Sequence, residues 1–120
     1  MTTVFLLGRI LFGGFFIYNG YNHLAGYKGM TGYAKMKGVP MPEFAVGLTG
    51  LMLLAGGFSV LTWYHAYYGI IALLAFLVPT TYMMHQFWKD TDPMQKMNNR
   101  ISFAKNVALI GALLMLFPLA

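Results

Sequence analysis

Two histidines, one carboxylate and several side-chain amides are the residues of this chain best suited to chemistry: His23, Glu43 and His85, with Asn19, Gln86 and Asn106 and the ammonium of Lys105. Imidazole changes charge near neutral pH. Two of them beside amide donors can hold a quinone headgroup, whose carbonyls accept hydrogen bonds and whose reduction takes up protons. His23, Glu43 and His85 are also the one set to weigh for a metal. No HxxH or ExxH spacing joins them and each would come from a different helix, so no metal site is expected. In the absence of a ligand, the same groups hydrogen-bond one another and anchor helix ends at a membrane interface. No nucleophile with its base, phosphate loop or cofactor fingerprint is present, so no catalytic residue and no covalently bound cofactor is expected. The ten methionines are scattered without a repeated spacing and read as adaptable packing.

The elements that must position these groups are four long apolar runs, roughly Val4 to Leu24, Glu43 to Trp63, Ala66 to Trp88 and Phe103 to Leu119. About 20 apolar residues cross the hydrocarbon core of a bilayer, where backbone polar groups must be satisfied within helices. The expected fold is therefore all-α, an integral membrane four-helix bundle forming a single domain over residues 1–120. Hydrophobic residues make up 58% of the chain and charged residues 9%, against roughly 25% charged in a soluble domain. The longest polar stretch, Lys89 to Ser102, is too short to fold alone. With no cysteine, disulfides, thiol redox chemistry and thiolate metal sites are excluded within these residues. The first run lacks a basic leader and a small-residue cleavage site and carries Arg9 and Asn19, so it reads as a retained span.

Charge sets the expected orientation. Lys28, Lys35 and Lys37 lie between the first and second spans, and Lys89, Lys96, Arg100 and Lys105 follow the third. The positive-inside rule makes both loops cytoplasmic and both termini external. The net charge of +5 then reads as topology and contact with anionic lipid, and the basic residues are too few and too interleaved with Met and Gly for nucleic acid. Pro40 and Pro42 open the second span, and the segment Lys28 to Gly38 reads as a short interfacial helix or a glycine-rich loop on the headgroups. Thr91-Asp92-Pro93 reads as a turn with an amphipathic lead into the last span.

Four spans force one depth on particular residues. Asn19 and His23 end the first span, Glu43 starts the second, His85 and Gln86 end the third, and Lys105 and Asn106 start the fourth, all on the cytoplasmic side. At 100° per residue, Arg9, Phe12, Phe16, Asn19 and His23 share one face of the first span with Gly13 and Gly20 beside them, and Gly47, Gly50 and Gly57 share a face of the second. Such glycines suit close helix approach. Arg9 alone lies near the outer end, where it snorkels or pairs with a backbone carbonyl or an anionic group.

The chain resembles the DoxX family of small bacterial four-helix membrane proteins. The resemblance is carried by Gly8-Arg9-Ile10-Leu11-Phe12-Gly13-Gly14 running into Asn19-Gly20-Tyr21-Asn22-His23-Leu24, by Tyr33-Ala34, Gly38-Val39-Pro40-Met41-Pro42 and Gly50 to Gly57, and by Met84-His85-Gln86-Phe87-Trp88 and Phe103 to Leu114. Members often carry an acidic residue in the middle of the second helix, where this chain has Thr49-Gly50-Leu51. The family takes its name from the membrane subunit of a thiosulfate:quinone oxidoreductase, and other members are linked to redox and oxidative-stress assemblies. The resemblance implies a multi-pass protein of the bacterial inner (cytoplasmic) membrane. Two functions follow as expectations. One is a non-catalytic accessory subunit of a larger membrane complex linked to electron transfer, meeting lipids and other membrane subunits or a second copy, and filling gaps with lipid or pigment-like ligands. The other is a quinone-interacting subunit of an oxidoreductase, with His23 or His85 as proton donor.

Overall fold

A computed structural model describes residues 2–120. Five helices follow one another: α1 (Thr3–Ala25), α2 (Tyr27–Met36), α3 (Pro42–Thr62), α4 (Ala66–Met84) and α5 (Pro93–Leu116), with short 3-10 turns at Phe87–Lys89 and Phe117–Leu119. No strand occurs among the described residues. Four of the helical segments are long and apolar enough to cross a membrane, which makes this an all-α protein of the multi-pass membrane class. The long axis of 47 Å matches a bilayer with its headgroup layers.

Glycines set the closest helix contacts. A β-carbon added at Gly13 would lie 2.7 Å from the Gly57 carbonyl oxygen and 2.8 Å from the Leu61 nitrogen, so α1 and α3 meet backbone to backbone. Gly20 and Gly50 continue that seam one turn-pair further along. The neighbouring Gly56 faces the other way, where its added β-carbon would meet Leu73 of α4 at 2.6 Å. Two consecutive glycines thus let α3 seat a helix on each side. Around them Phe16, Leu53, Val60, Ile70, Leu73 and Leu113 are all but fully buried. Apolar surface does not by itself drive helices together in lipid, so this dense interlock of small and large residues is what holds the spans in register.

The chain passes α1 to α3 to α4 to α5, each packed against the next, but no extensive contact brings α5 back onto α1. The ring of four spans is open along the α1/α5 seam. The α3–α4 turn is tight, with Trp63 (φ 60) and His65 (φ 50) left-handed. The Ser59 hydroxyl steadies it, lying 2.7 Å from the Tyr64 carbonyl oxygen and 2.9 Å from that of His65.

Helix bounds at the loop end differ from the sequence expectation. Of the two forms expected for the segment after α1, it takes the short helix, α2, which starts at Tyr27, with Ala34 buried and the Tyr27 hydroxyl donating to the Glu43 carbonyl at 2.7 Å. The third span stops at Met84, and the chain turns through His85 and Gln86. The fourth starts at Pro93, ten residues before Phe103, because Asp92 caps it by accepting from the Gln95 N–H at 3.1 Å and Pro93 occupies the first helical position. Polarity marks where α5 leaves the hydrocarbon, and the cap marks where the helix begins. Asp92→Ala is expected to cost about 1 kcal/mol of stability, read as a lower midpoint in thermal unfolding of the detergent-solubilised protein; an unchanged midpoint would show that the cap contributes nothing.

Candidate functional site

At the basic end of the bundle, α1, α3, α4 and α5 diverge around a cavity of about 470 Å³. Its walls are Phe15 and Phe16 of α1, Val46 and Leu53 of α3, Phe76 and Leu77 of α4 and Leu109 of α5, and α2 closes it with Met30, Tyr33 and Ala34. Polar groups enter from every span: Asn19 and His23, Thr49, Thr80 and, beyond the end of α4, His85, then Lys105 and Asn106. A pocket of a few hundred cubic ångströms with mostly apolar walls and a few convergent polar groups has the character of a small-molecule site.

Five of the seven residues expected to line a ligand site are here: Asn19, His23, His85, Lys105 and Asn106. Glu43 and Gln86 are at the same depth but outside the lining. The Glu43 side chain is exposed in the first turn of α3, where it keeps its hydration beside the positive end of the helix dipole, while Ala45, Val46 and Thr49 take the inward positions. Gln86 falls after α4 has ended, so its side chain follows the turn and not a helix face. With Glu43 turned outward, His23, Glu43 and His85 do not come together, and among the described residues no three of His, Asp and Glu cluster as metal ligands do.

Each imidazole is oriented by its Nδ1. In His23 it is 3.1 Å from the Asn19 carbonyl oxygen, which can only accept, so Nδ1 carries the proton in that bond. The ring also packs edge-on against Phe76, with centroids 5.6 Å apart. His85 Nδ1 lies 3.3 Å from Asn99 Oδ1, and Asn99 donates through Nδ2 to Asp90 Oδ2 at 2.7 Å. Because the carboxylate takes the amide N–H, Asn99 is left to accept from His85. In both histidines Nε2 is the ring nitrogen without this tether, an acceptor in the neutral ring and a donor once protonated. Lys105 sits at the cavity rim with its Nζ 5.6 Å above the Phe15 ring, bridging the open seam from α5 to α1.

Asn99, Asp90 and the α2 residues were not anticipated from the sequence. Asn99, Asn106 and Leu113 are spaced by seven, so one face of a helix running back to Pro93 carries all three, with Asn106 and Leu113 buried. Met30, Tyr33 and Ala34 likewise have the i, i+3, i+4 spacing of an amphipathic helix.

These features define a small polytopic membrane protein with one cavity at the basic end of its bundle. The DoxX family profile matches residues 4–86, well over half of the chain, and the chain belongs to that family. The matched region runs from α1 to the end of α4, so Lys105 and Asn106 come from a helix beyond it. No curated protein and no solved structure matches the chain significantly.

Proposed function

We propose that this DoxX-family protein is a non-catalytic accessory subunit of a larger bacterial inner-membrane assembly linked to electron transfer, and that its cavity holds the headgroup of a quinone or a lipid. The cavity carries this reading. Its apolar walls suit a ring or acyl chain, and the groups at its polar end suit an oxygen-bearing headgroup. A quinone carbonyl or lipid ester accepts from the Asn106 amide and the Lys105 ammonium, and a quinol hydroxyl donates to a neutral imidazole Nε2. The open α1/α5 seam provides a sideways route from the bilayer. The chain has no cysteine, so electron carriers held by thiolates must belong to another subunit. The exposed apolar residues along the spans, Leu7, Leu11, Phe58 and Met115 among them, suit contact with such a subunit, with a second copy or with lipid.

The two imidazoles facing one cavity favour a second reading, that a bound quinone is reduced there by a partner's electrons with His23 or His85 supplying protons. Mass spectrometry of solvent extracts from protein purified in mild detergent tests the binding itself. A quinone or a phospholipid is expected at near one equivalent in the wild type and largely lost in Thr49→Trp, whose side chain fills the cavity. Equal retention in both would overturn the site, and the identity of the extracted molecule separates quinone from lipid.

Seven of the eight Lys/Arg lie at the cavity end, so that end is proposed to face the cytoplasm. Alkaline phosphatase fused after Ala120 is then expected to be active and green fluorescent protein at the same point dark; the opposite pattern would invert the topology.

A further inference from the structure

At the other end of the α1/α5 seam lies a second cavity, of about 340 Å³, lined by Val4, Phe5, Gly8 and Phe12 of α1, Val60 of α3 and Ala112, Met115 and Leu116 of α5. Its one charged lining residue is Arg9. The chain has three acidic side chains, all at the opposite end: Glu43 in the first turn of α3, and Asp90 and Asp92 between α4 and α5. Among the described residues, Arg9 therefore has no carboxylate side chain within reach. Its Nε is buried without a hydrogen-bond partner among the described residues, and the guanidinium rests 5.4 Å from the Phe5 ring, one turn back toward the start of α1. Side chains on a helix lean toward its N-terminus, and a long cationic one near a span's end carries its charge to the headgroup layer.

We propose that this end of the seam is a binding site for an anionic phospholipid. The phosphate pairs with the Arg9 guanidinium, and one acyl chain lies in the groove between Gly8 and Ala112. The charge calls for an anion, and no acidic side chain of the described residues supplies it. The groove calls for a flexible apolar chain, since it runs from Val4 to Phe12, about 12 Å along α1. One molecule carries both in that order along the membrane normal. A guanidinium also suits phosphate geometrically, because its fork of donors matches two phosphate oxygens.

The site can be read locally, which matters because seven other cations at the far end also attract anionic lipid. A photoreactive benzophenone side chain replaces Met115, and the protein is reconstituted in phosphatidylcholine vesicles containing a minor fraction of phosphatidylglycerol. With Arg9 present, cross-linked phosphatidylglycerol is expected to exceed its bulk share about fivefold. Arg9→Gln should return it to the bulk ratio and Arg9→Lys should keep part of the enrichment. Gly8→Leu is the variant least able to disturb folding, since a β-carbon there meets nothing within 4 Å. It should fill the groove and lower the total lipid cross-link with Arg9 intact, so the proposal is tested even if Arg9→Gln does not fold. Cross-linking at the bulk lipid ratio with Arg9 in place, enrichment that survives Arg9→Gln, or an undiminished total lipid cross-link in Gly8→Leu would overturn it. So would a protein cross-linked at Met115 in place of lipid in native membranes, which would make the counter-anion a partner's carboxylate.

Discussion

Gly13→Ala should unfold this protein or cost it about 3 kcal/mol or more, while Gly14→Ala, one residue along the same helix, should leave it as stable as before or stabilise it by roughly 0.5–1 kcal/mol. The added methyl is the same and the helix is the same. At Gly13 it would stand 2.7 Å from the Gly57 carbonyl oxygen and 2.8 Å from the Leu61 nitrogen, whereas at Gly14 nothing lies within 4 Å. Backbone atoms of a regular helix cannot rotate aside. The only relief is for α1 to move off α3, and that movement would also loosen Gly20 against Gly50 and expose the core around Phe16 and Leu53. Gly57→Ala should behave like Gly13→Ala, since its β-carbon would be 2.9 Å from the Gly13 carbonyl oxygen. Thermal unfolding of the four proteins in one detergent, followed by size-exclusion chromatography, measures the ordering. Equal midpoints for Gly13→Ala and Gly14→Ala would show that the seam lies elsewhere.

The contrast between those two glycines also shows what kind of information the sequence carries. Depth in the membrane was legible, because the length of an apolar run measures bilayer thickness and the number of crossings fixes which ends share a side. Asn19, His23, His85, Lys105 and Asn106 thereby fall at one level, where the structure has them around one cavity. Direction around a helix axis was legible only within a single helix. The periodicity of α1 puts Phe16, Asn19 and His23 on one face without reference to any neighbour, and all three line the cavity. For Glu43 depth alone was available, and its azimuth turned out to point into solvent. Gln86 was misplaced for a different reason: Pro79 is tolerated inside α4, yet the helix ends at Met84 within an unbroken run of large side chains, a stop that hydropathy does not mark.

Asn99 escaped for the opposite reason. A polar stretch with Lys96 and Arg100 reads as loop when the only question is what lipid tolerates. Outside the hydrocarbon a helix needs no apolar face all round, and 24 residues at about 1.5 Å each make α5 roughly 36 Å long, more than the hydrocarbon thickness. Its first turns therefore stand clear of the core and carry the Asn99 amide that ties His85 to Asp90. Where the charged turns of α5 give way to its apolar length, the Lys105 side chain reaches across the seam to Phe15 of α1.

Asn106→Leu should separate a binding cavity from a merely structural polar cluster. Asn106 is 6% exposed and faces the cavity, and a primary amide at that depth requires partners for its donors and its acceptor. If a headgroup supplies them, replacing the amide with an apolar group of similar size removes at least one hydrogen bond to the ligand, and retained quinone or lipid should fall roughly fivefold to tenfold. The ligand-free protein should then be as stable as the wild type or more stable by about 1 kcal/mol, because a poorly satisfied amide no longer has to be kept out of water. If the amide instead serves to hold the helices together, the signs reverse, with stability lost and ligand retained. Gln86→Ala is the matched control: it removes an amide at the same depth but outside the lining, so it should change neither quantity. Two measurements on each variant, ligand per chain by mass spectrometry and unfolding midpoint in detergent after the ligand is stripped, decide the matter. A destabilised Asn106→Leu protein that keeps its full complement of ligand would remove Asn106 from the site and leave His23, His85 and Lys105 as its polar end.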